Sequence, residues 1–253
     1  MQKTSKPAQQ KPLVRVDRVS VGTDEKARSY FDIQGEREVK AKKAVADRIV
    51  EKYFHPGDSI LLDAGTSLYP IATKIVEMSA ERPDETHFTI MTHNYKAFQI
   101  LVEADKKANL NIVLAGGRYD LDLNALFGAQ TASNYETFYP RTVVIGISGL
   151  VADTGLFCHG NTEELQVKEL IFKKACIRRI VVAHHTKLGF PDSFLFGATL
   201  GLKAGAVEGC ALVTTKPYPD SSKQVHDKYR DEVNALRNKY GIEVEEIEVS
   251  KDA

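Results

Sequence analysis

Short apolar runs alternate with amphipathic segments along most of the chain. The first amphipathic segment starts at Glu36, and its apolar side chains recur at helical spacing, opposite Lys, Arg and Glu. These apolar positions are Val39, Ala46, Ile49, Val50 and Tyr53. We predict a helix here, ending at His55-Pro56-Gly57-Asp58 because proline and glycine interrupt helical structure.

Strand and helix patterns then alternate through the rest of the sequence. The apolar runs predict strands at residues 59–62, 88–91, 111–114, 142–147, 179–183, 210–214 and 242–249. The segments between them predict helices at residues 69–78, 95–104, 163–175 and 220–240. This order predicts an α/β fold with a mainly parallel sheet covered by helices on both faces. In such sheets ligands bind beyond the carboxyl ends of the strands, so those ends are the first places to search for function.

Composition gives no sign of a special partner. The hydrophobic share of 43% and the charged share of 27% are ordinary for a globular protein, and 34 basic residues balance 34 acidic ones. Three cysteines (Cys158, Cys176 and Cys210) are too few and too scattered for a disulfide framework or a zinc site. Apolar runs are too short to span a bilayer, and the N-terminus lacks the apolar core of a secretory signal. We therefore expect a cytoplasmic protein with no membrane partner, no metal and no cofactor.

Residues 1–35 are polar and lack apolar periodicity. Their first half carries five spaced cations and one acid: Lys3, Lys6, Lys11, Arg15, Arg18 and Asp17. A disordered or loosely packed tail is the favoured interpretation, because spaced charges are usually solvated. An arm that binds nucleic acid is the alternative, although no aromatic residues interleave these cations. The predicted organisation is a tail of residues 1–35 followed by one domain of residues 36–253.

The segment Asp63-Ala64-Gly65-Thr66-Ser67 joins the strand at 59–62 to the helix at 69–78. A strand-to-helix turn of this kind presents backbone N–H groups, two hydroxyls and the positive end of a helix dipole at one point, which favours phosphate or carboxylate. It has neither the Gly-Lys-Ser/Thr ending of a P-loop nor the three-glycine dinucleotide fingerprint. A tight turn in which Thr66 or Ser67 caps the helix is the structural alternative.

Other strand ends also carry polar groups. Thr92 and His93 follow the second strand, where they could cap a helix or contact a ligand. Gly116-Gly117-Arg118 follows the third, and would allow close backbone approach and hold an anion with its guanidinium. Lys187 could supply a point charge for a phosphate. Two acids, Glu163 and Glu164, open a predicted helix, where the dipole stabilises them whatever their function.

Taken in order, several motifs resemble one family. They are Lys43-Ala44-Val45-Ala46, Pro56 to Ser67, Met91-Thr92-His93-Asn94, Leu114 to Tyr119, Leu126-Phe127-Gly128, Gly146 to Leu150, Thr154-Gly155-Leu156, Glu163 to Lys168, and His185 to Gly189. Over about residues 40–215 the chain resembles the C-terminal effector-binding domain of DeoR-type bacterial transcriptional regulators. The ordered set is far more specific than any single motif.

The resemblance implies a Rossmann-like fold shared with ribose-phosphate isomerases and coenzyme A transferases. It implies a phosphorylated sugar or related metabolite as ligand and, usually, a homo-oligomer. The Asp63–Ser67 loop would form part of the site, with Lys187 and the Gly116–Gly117 loop nearby. The chain departs from the family pattern at His93 and His184, where the family has Asn and Asp. Residues 1–35 show no helix-turn-helix pattern, so direct DNA binding is not expected. The domain would either regulate transcription through a partner or retain ligand binding without DNA binding.

Two functions of different classes follow. The first is a sensor that binds a phosphorylated sugar. The alternative is an aldose–ketose isomerase acting on a sugar phosphate, which needs a carboxylate general base; the candidates are Asp63, Glu163 and Glu164. A purely structural role in oligomerisation would leave the anion-friendly strand ends unexplained.

Overall fold

The structure is a computed structural model that describes residues 28–104 and 108–250. Its helices are α1 (Tyr30–Gly35), α2 (Val39–Tyr53), α3 (Tyr69–Glu81), α4 (Tyr95–Leu101), α5 (Ala129–Thr137), α6 (Thr162–Lys173) and α7 (Lys223–Asn234). Its strands are β1 (Ser59–Leu62), β2 (His87–Thr92), β3 (Asn109–Leu114), β4 (Arg118–Asp120), β5 (Ala125–Phe127), β6 (Thr142–Gly146), β7 (Gly149–Val151), β8 (Gly155–Cys158), β9 (Arg178–Val182), β10 (Phe194–Gly197), β11 (Cys210–Thr215) and β12 (Glu243–Ile247). Short 3₁₀ turns at Pro83–Glu85, His185–Lys187 and Thr199–Gly201, and a π-helical turn at Ala235–Lys239, complete these elements.

Within these residues, seven strands form one parallel sheet in the order β12-β11-β9-β6-β1-β2-β3. The chain adds β2 and β3 on one side of β1, and then β6, β9, β11 and β12 on the other. The strand order therefore reverses between β1 and β6, which is where open α/β sheets bind ligands. The predicted α/β class and Rossmann-like parallel sheet are confirmed.

The sheet separates two layers of helices, each with its own apolar core. Ile60 and Leu62 of β1 belong to the cluster with α2, α3 and α4, whereas Leu61 belongs to the cluster with α5, α6 and α7. This alternation follows from the period of two along a strand, which turns successive side chains to opposite faces. Helix α2 and helix α6 thus approach the end of β1 from opposite sides.

Two small antiparallel assemblies were not predicted. Strands β4 and β5 form a hairpin, and β7, β8 and β10 form a three-stranded sheet. Each of these strands has only three or four residues, too few to show alternation. The predicted helix 220–240 also differs, since α7 ends at Asn234 and continues as the π-helical turn. Across the described ranges, no helix is both long and apolar enough to cross a bilayer.

The predicted tail needs a correction at its C-terminal end. Residues 1–27 lie outside the described residues, but Tyr30–Gly35 is the helix α1, which buries Phe31 and is capped by Ser29. Ser29 and Asp32 form a capping box, each side chain bonding the other residue's backbone N–H. One turn with one buried apolar side chain produces no periodicity, so the pattern missed it.

Candidate functional site

The loop after β1 opens at the reversal of strand order. Gly65 has a φ of 116°, which a side chain would strain, and it turns the chain toward α3. Leu68 N–H donates to Gly65 O at 3.1 Å. Over the described parts of the chain, the backbone N–H groups of Gly65, Thr66 and Ser67 have no acceptor. These groups precede a helix of 13 residues, so its dipole and the unbonded donors favour an anion here.

Three lysines converge on this loop from different elements. Lys42 of α2 donates to Thr66 Oγ1 at 3.0 Å and to Gln34 O. Lys187, in the turn after β9, donates to Ile147 O at 2.6 Å and lies 3.4 Å from Ser67 Oγ. Lys168 of α6 donates to Gly146 O at 2.7 Å and pairs with Asp63. Three ammonium groups thus surround a loop that carries only neutral donors.

Burial changes the charge of two of these lysines. It lowers the pKa of Lys42 to about 8, against the opposing field of Glu38. It lowers the pKa of Lys187 to about 7, and the positive charges of Lys42 and Lys168 contribute to the same decrease. An anion between them would favour both charged forms and raise both pKa values. Lys42 and Lys187 would therefore be stabilised in their charged forms by a bound anion, whereas Lys168 is already paired with Asp63.

Beneath the loop lies a buried ion pair. Asp63 is fully buried; it accepts hydrogen bonds from Ala64 N–H at 2.8 Å and Gly146 N–H at 2.9 Å and pairs with Lys168. Burial alone would lower the pKa of Lys168, but Asp63 and Glu164 outweigh it and raise that pKa. Lys168 thus stays charged, and Asp63 fixes the loop to the end of β6.

His93 lies beside this pair but is sealed from solvent. Its Nδ1 is 2.7 Å from the Tyr135 hydroxyl, and its Nε2 is 3.6 Å from Asp63 Oδ1. Burial lowers the pKa of His93 to about 4 despite the nearby carboxylate, so the ring is neutral at physiological pH.

The cavity lining also carries groups that can bond hydroxyls. Glu164 accepts Gly160 N–H at 2.6 Å, and burial raises the pKa of its carboxyl despite the field of Lys168. His159 Nδ1 lies 3.0 Å from Asp192 Oδ1, a hydrogen bond that raises the pKa of His159. Carboxyl and imidazole groups accept or donate hydrogen bonds according to protonation, as recognition of a polyhydroxylated compound requires.

These groups line one cavity of about 760 Å³. Its wall also includes apolar and aromatic side chains, among them Phe31, Leu123, Phe127 and Phe190. A largely apolar lining with a few convergent polar groups, at this volume, is typical of a small-molecule site. Among the described residues, no group of three or more His, Cys, Asp and Glu is arranged to hold a metal ion.

The structure brings part of the predicted site together. Residues Ala64, Gly65, Thr66 and Ser67 line the cavity, as do Lys187 and Glu164. They meet because β1 and β9 end at the same edge of the parallel sheet, and α6 begins beside them. This set includes the loop that the sequence singled out most strongly.

Three predicted residues lie under the cavity floor. Asp63, Thr92 and His93 are each fully buried and do not line the cavity. Asp63 is occupied by Lys168, and Thr92 Oγ1 accepts Asn94 N–H at 3.0 Å, where Asn94 in turn caps α4. Their side chains are buried outside the cavity lining, so they are not placed to contact a ligand inside the cavity directly.

A second group lies outside the cavity. Gly116, Gly117, Arg118 and Glu163 do not line it, and Arg118 pairs with Glu163 at the surface. A side chain at Gly117 would collide with Phe127 O at 2.5 Å, so tight packing accounts for this glycine. The Gly116–Gly117 loop, which the resemblance placed near the ligand, is therefore not part of the lining of this cavity.

Sequence reasoning missed two of the three lysines. Lys42 lies three residues after Val39 and four before Ala46, on the apolar stripe of α2, and is 3% exposed. Lys168 likewise occupies the inward spacing of α6, between Leu165 and Ile171. Burying a lysine on the apolar face of an amphipathic helix costs free energy unless its charge is paired. The position of each lysine on such a face was therefore the sequence signal that could have identified Lys42 and Lys168.

Comparison with known proteins identifies relatives for most of the chain. The family described as DeoR C terminal sensor domain matches residues 37–203. The HTH-type transcriptional repressor GlcR of Bacillus subtilis (strain 168) is 24% identical over 151 residues, covering 60% of this chain and 53% of the repressor. The transcriptional repressor AccR of Agrobacterium fabrum is 26% identical over 149 residues, covering 58% and 53%. The chain thus matches about half the length of these curated relatives.

Solved structures resemble the chain more distantly. The probable sor operon regulator of Shigella flexneri has a TM-score of 0.41 at 14% identity, covering 80% of this chain and 91% of that one. A D-ribose-5-phosphate isomerase in complex with phospho-erythronic acid has a TM-score of 0.40 at 16% identity, covering 58% and 52%. At these scores the likeness supports no statement about function.

Proposed function

This chain belongs to the DeoR C-terminal sensor domain family, and we propose that it senses a phosphorylated sugar or a related phosphorylated metabolite. The membership rests on the match over residues 37–203. Regulators of this family respond to a small effector through this domain. That the effector is phosphorylated is the more specific part of the proposal, and it rests on the chemistry of the cavity.

The observation that carries the proposal is the set of lysines around the loop after β1. Lys42 and Lys187 reach Thr66 and Ser67 from two sides, and three unbonded N–H groups face the same space. A phosphate group has enough acceptor oxygens to bond several of these donors at once. Each bond would be charge-assisted, and its dianionic charge would relieve the repulsion between the ammonium groups.

The rest of the cavity fits the sugar part of such a ligand. Glu164 and the His159–Asp192 pair can bond hydroxyl groups, whereas Phe127 and Phe190 can pack against its C–H groups. The volume of about 760 Å³ lies within the range of about 300–1,000 Å³ common for small-molecule sites.

We extend only the sensing part of the relatives' activity to this chain. GlcR and AccR are transcriptional repressors, and the match covers about half of each. Ligand occupancy would be passed to a DNA-binding unit or a partner that contacts one. Assembly into a homo-oligomer stays a prediction, which light scattering of the full chain would check.

A calorimetric titration of the full chain tests the ligand class. The probes are glucose 6-phosphate, fructose 6-phosphate, fructose 1-phosphate and ribose 5-phosphate, each paired with its unphosphorylated sugar. We expect binding by at least one phosphorylated compound and a matching rise in melting temperature, because a ligand that binds only the folded state stabilises it. Equal affinity for a sugar and its phosphate, or no binding by any phosphate, contradicts the proposal.

Two variants locate the binding. Lys187→Met removes one ammonium group from the cavity and should weaken binding about 10- to 100-fold, as expected for a lost charge-assisted hydrogen bond. Lys216→Met is the matched control, because Lys216 pairs with Glu248 at the surface, away from the cavity. The control should bind as the unmodified chain does. If both variants weaken binding equally, the phosphate does not occupy this cavity.

One observation favours the isomerase alternative as a second candidate. Glu164 lies in the cavity, and burial raises the pKa of its carboxyl, as suits a proton-transferring group. The other two candidates are worse placed, since Asp63 is held by Lys168 and Glu163 lies outside the cavity. In D₂O, an isomerase would exchange the C2 proton of a bound sugar phosphate, and Glu164→Gln would stop this without abolishing binding. Absence of exchange with a ligand that binds rules this candidate out.

A further inference from the structure

Helix α1 lines the cavity and precedes the residues that the family match covers. Tyr30, Phe31, Ile33 and Gln34 all line the cavity, although the family match begins at residue 37. The helix therefore adds to the cavity a wall that lies outside the residues matched by the family. Its attachments to the rest of the molecule decide whether that wall is fixed.

The N-terminal end of α1 is held at two places on the body. The backbone N–H groups of Tyr30 and Phe31 donate to Asp122, at 2.6 Å to Oδ1 and 2.9 Å to O. The ring of Tyr30 stacks on the ring of His159, with centroids 4.3 Å apart and planes at 10°. Because His159 also bonds Asp192 in the cavity wall, this end of α1 rests on groups that belong to the site.

The C-terminal end of α1 is held mainly by Lys42. The Lys42 ammonium donates to Gln34 O, and the same group donates to Thr66 Oγ1 of the loop after β1. Phe31, the buried residue of α1, lies against Tyr69 with ring centroids 5.8 Å apart. One ammonium group thus connects the covering helix with the loop that would receive a phosphate.

An ammonium group has three donors, and these two bonds use two of them. A phosphate on the loop can accept the third while both bonds remain, and its charge keeps Lys42 protonated. The bond to Gln34 O is then charge-assisted in every molecule that carries the ligand. If phosphate strengthens the attachment of α1 through Lys42, attachment of α1 must strengthen phosphate binding by the same factor, because coupling between two sites is reciprocal.

We infer that α1 is a strap that an anion at the Gly65–Ser67 loop fastens over the cavity through Lys42. The inference rests on the proposed phosphate site. It adds Tyr30, Phe31 and Gln34 to the ligand-responsive residues and makes Lys42 the coupling residue.

Hydrogen exchange of the full chain, measured by mass spectrometry, tests this inference with inorganic phosphate as the probe. In the unmodified chain, phosphate should slow exchange in peptides covering Tyr30–Gly35 by about fivefold or more, because fastening reduces local opening. Peptides of β12, which lies at an edge of the sheet and contributes nothing to the cavity lining, should not change. Titration calorimetry on the same samples reports whether phosphate binds.

Lys42→Met and Lys43→Met form a matched pair on α2. Lys42 is buried at the cavity, whereas its neighbour Lys43 is exposed and does not line the cavity. Without phosphate, Lys42→Met should already exchange faster at α1 than the unmodified chain, and phosphate should no longer slow it. Lys43→Met should behave as the unmodified chain in both conditions.

Tyr30→Ala is a second variant that leaves Lys42 and the loop intact. It removes the stacking on His159, so phosphate should still bind but dissociate about tenfold faster, since interface changes act mainly on dissociation rates. This variant keeps the test decisive if Lys42→Met fails to fold.

The outcomes separate the strap from the ligand class. Phosphate that binds without changing exchange at α1 overturns the strap and leaves the phosphate site standing. Unchanged exchange at α1 in ligand-free Lys42→Met also overturns the strap, whatever phosphate does. Failure of phosphate to bind at all contradicts the coupling and the proposed site together, and calorimetry identifies that case directly.

Discussion

The loops after β1 and β3 have similar backbone conformations but different surroundings. Both lie at the carboxyl edge of the sheet, and both contain glycine at positive φ, with Gly65 at 116° and Gly117 at 114°. The first opens onto the cavity, where Lys42 and Lys187 reach it. The second packs under α5, whose Thr131 hydroxyl donates to Gly116 O at 2.6 Å. A strand-end glycine loop becomes an anion site only when other elements bring cations and leave open space above it.

The largest expected effect concerns the ion pair that anchors the first loop. Asp63→Asn leaves Lys168 charged and buried without its counter-ion, which should lower the free energy of unfolding by about 3–5 kcal/mol. Urea denaturation measures this loss. The double variant Asp63→Asn with Lys168→Met should recover much of it, because no unpaired charge remains.

Asp153→Asn serves as the control for that series. Asp153 pairs with Lys239 at the surface, so its loss should leave the denaturation midpoint unchanged. Equal destabilisation by the two Asn variants would show that burial of the Asp63–Lys168 pair is not what holds the first loop.

A smaller effect should distinguish the packed loop from the open one. Gly117→Ala would place a Cβ 2.3 Å from Thr131 Oγ1 at a φ that side chains avoid, and should destabilise the fold by about 1–3 kcal/mol. Gly128→Ala has a similar φ of 107° with nothing within 4 Å, so it isolates the backbone strain. Phosphate affinity of the folded protein should be the same in both. Weaker binding in Gly117→Ala alone would place the second loop in the ligand site.

The pH dependence of anion binding tests whether the charge of Lys187 distinguishes the first loop from the second. The pKa of Lys187 is about 7 in the free protein, and a bound anion raises it, so above pH 7 the complex holds more protons than the free protein. Affinity should therefore begin to fall near pH 7 and decrease about tenfold or more by pH 9, since each unit of pKa shift is a factor of ten. Lys42, with a pKa of about 8, acts in the same direction.

Calorimetry from pH 6.5 to 9 in buffers free of phosphate measures this slope. The phosphate monoester itself is already dianionic over most of that range, so the change belongs to the protein. Lys187→Arg keeps its charge throughout and should flatten the profile. An unchanged slope in this variant would assign the titration to another group.

The smallest effect is expected at Arg118. Arg118→Gln removes an exposed guanidinium that pairs with Glu163 outside the cavity, so neither the denaturation midpoint nor phosphate affinity should change measurably. A tenfold loss of phosphate affinity would indicate that the second loop belongs to the ligand site, as the sequence resemblance implied.

Sequence patterns predicted the sheet well because apolar runs and helical spacing extend over whole elements. Ser59–Leu62 and Thr142–Gly146 are continuous apolar strands, and they pair at the centre of the sheet. The short strands β4 and β7 depend on hairpin contacts rather than on their own pattern, so they were not predicted. Helix α1 is held by Lys42 and by Asp122, which lies 92 positions from Tyr30, and a helix of six residues is too short to show periodicity in the sequence.

The sequence predicted the site only where several functional groups lie within one short segment. Residues Ala64–Ser67 supply donors, hydroxyls and a helix terminus within four positions, and they do line the cavity. Lys42 and Lys168 come from helices on opposite faces of the sheet, and their convergence is a property of the tertiary structure. Thr92 and Arg118 also follow parallel strands, but hydrogen bonding and surface pairing direct their side chains elsewhere.

The contact between Lys187 and Ser67 joins residues that are 120 positions apart, and Asp63 meets Gly146 across 83. Such long-range pairings form late in folding, because the entropy of closing a large loop must be overcome before the contact stabilises anything. During synthesis, a chain that ends before residue 187 cannot bring Lys42, Lys168 and Lys187 together around the loop after β1. Assembly of the proposed phosphate site would therefore depend on contacts that can form only after residue 187 has been synthesised.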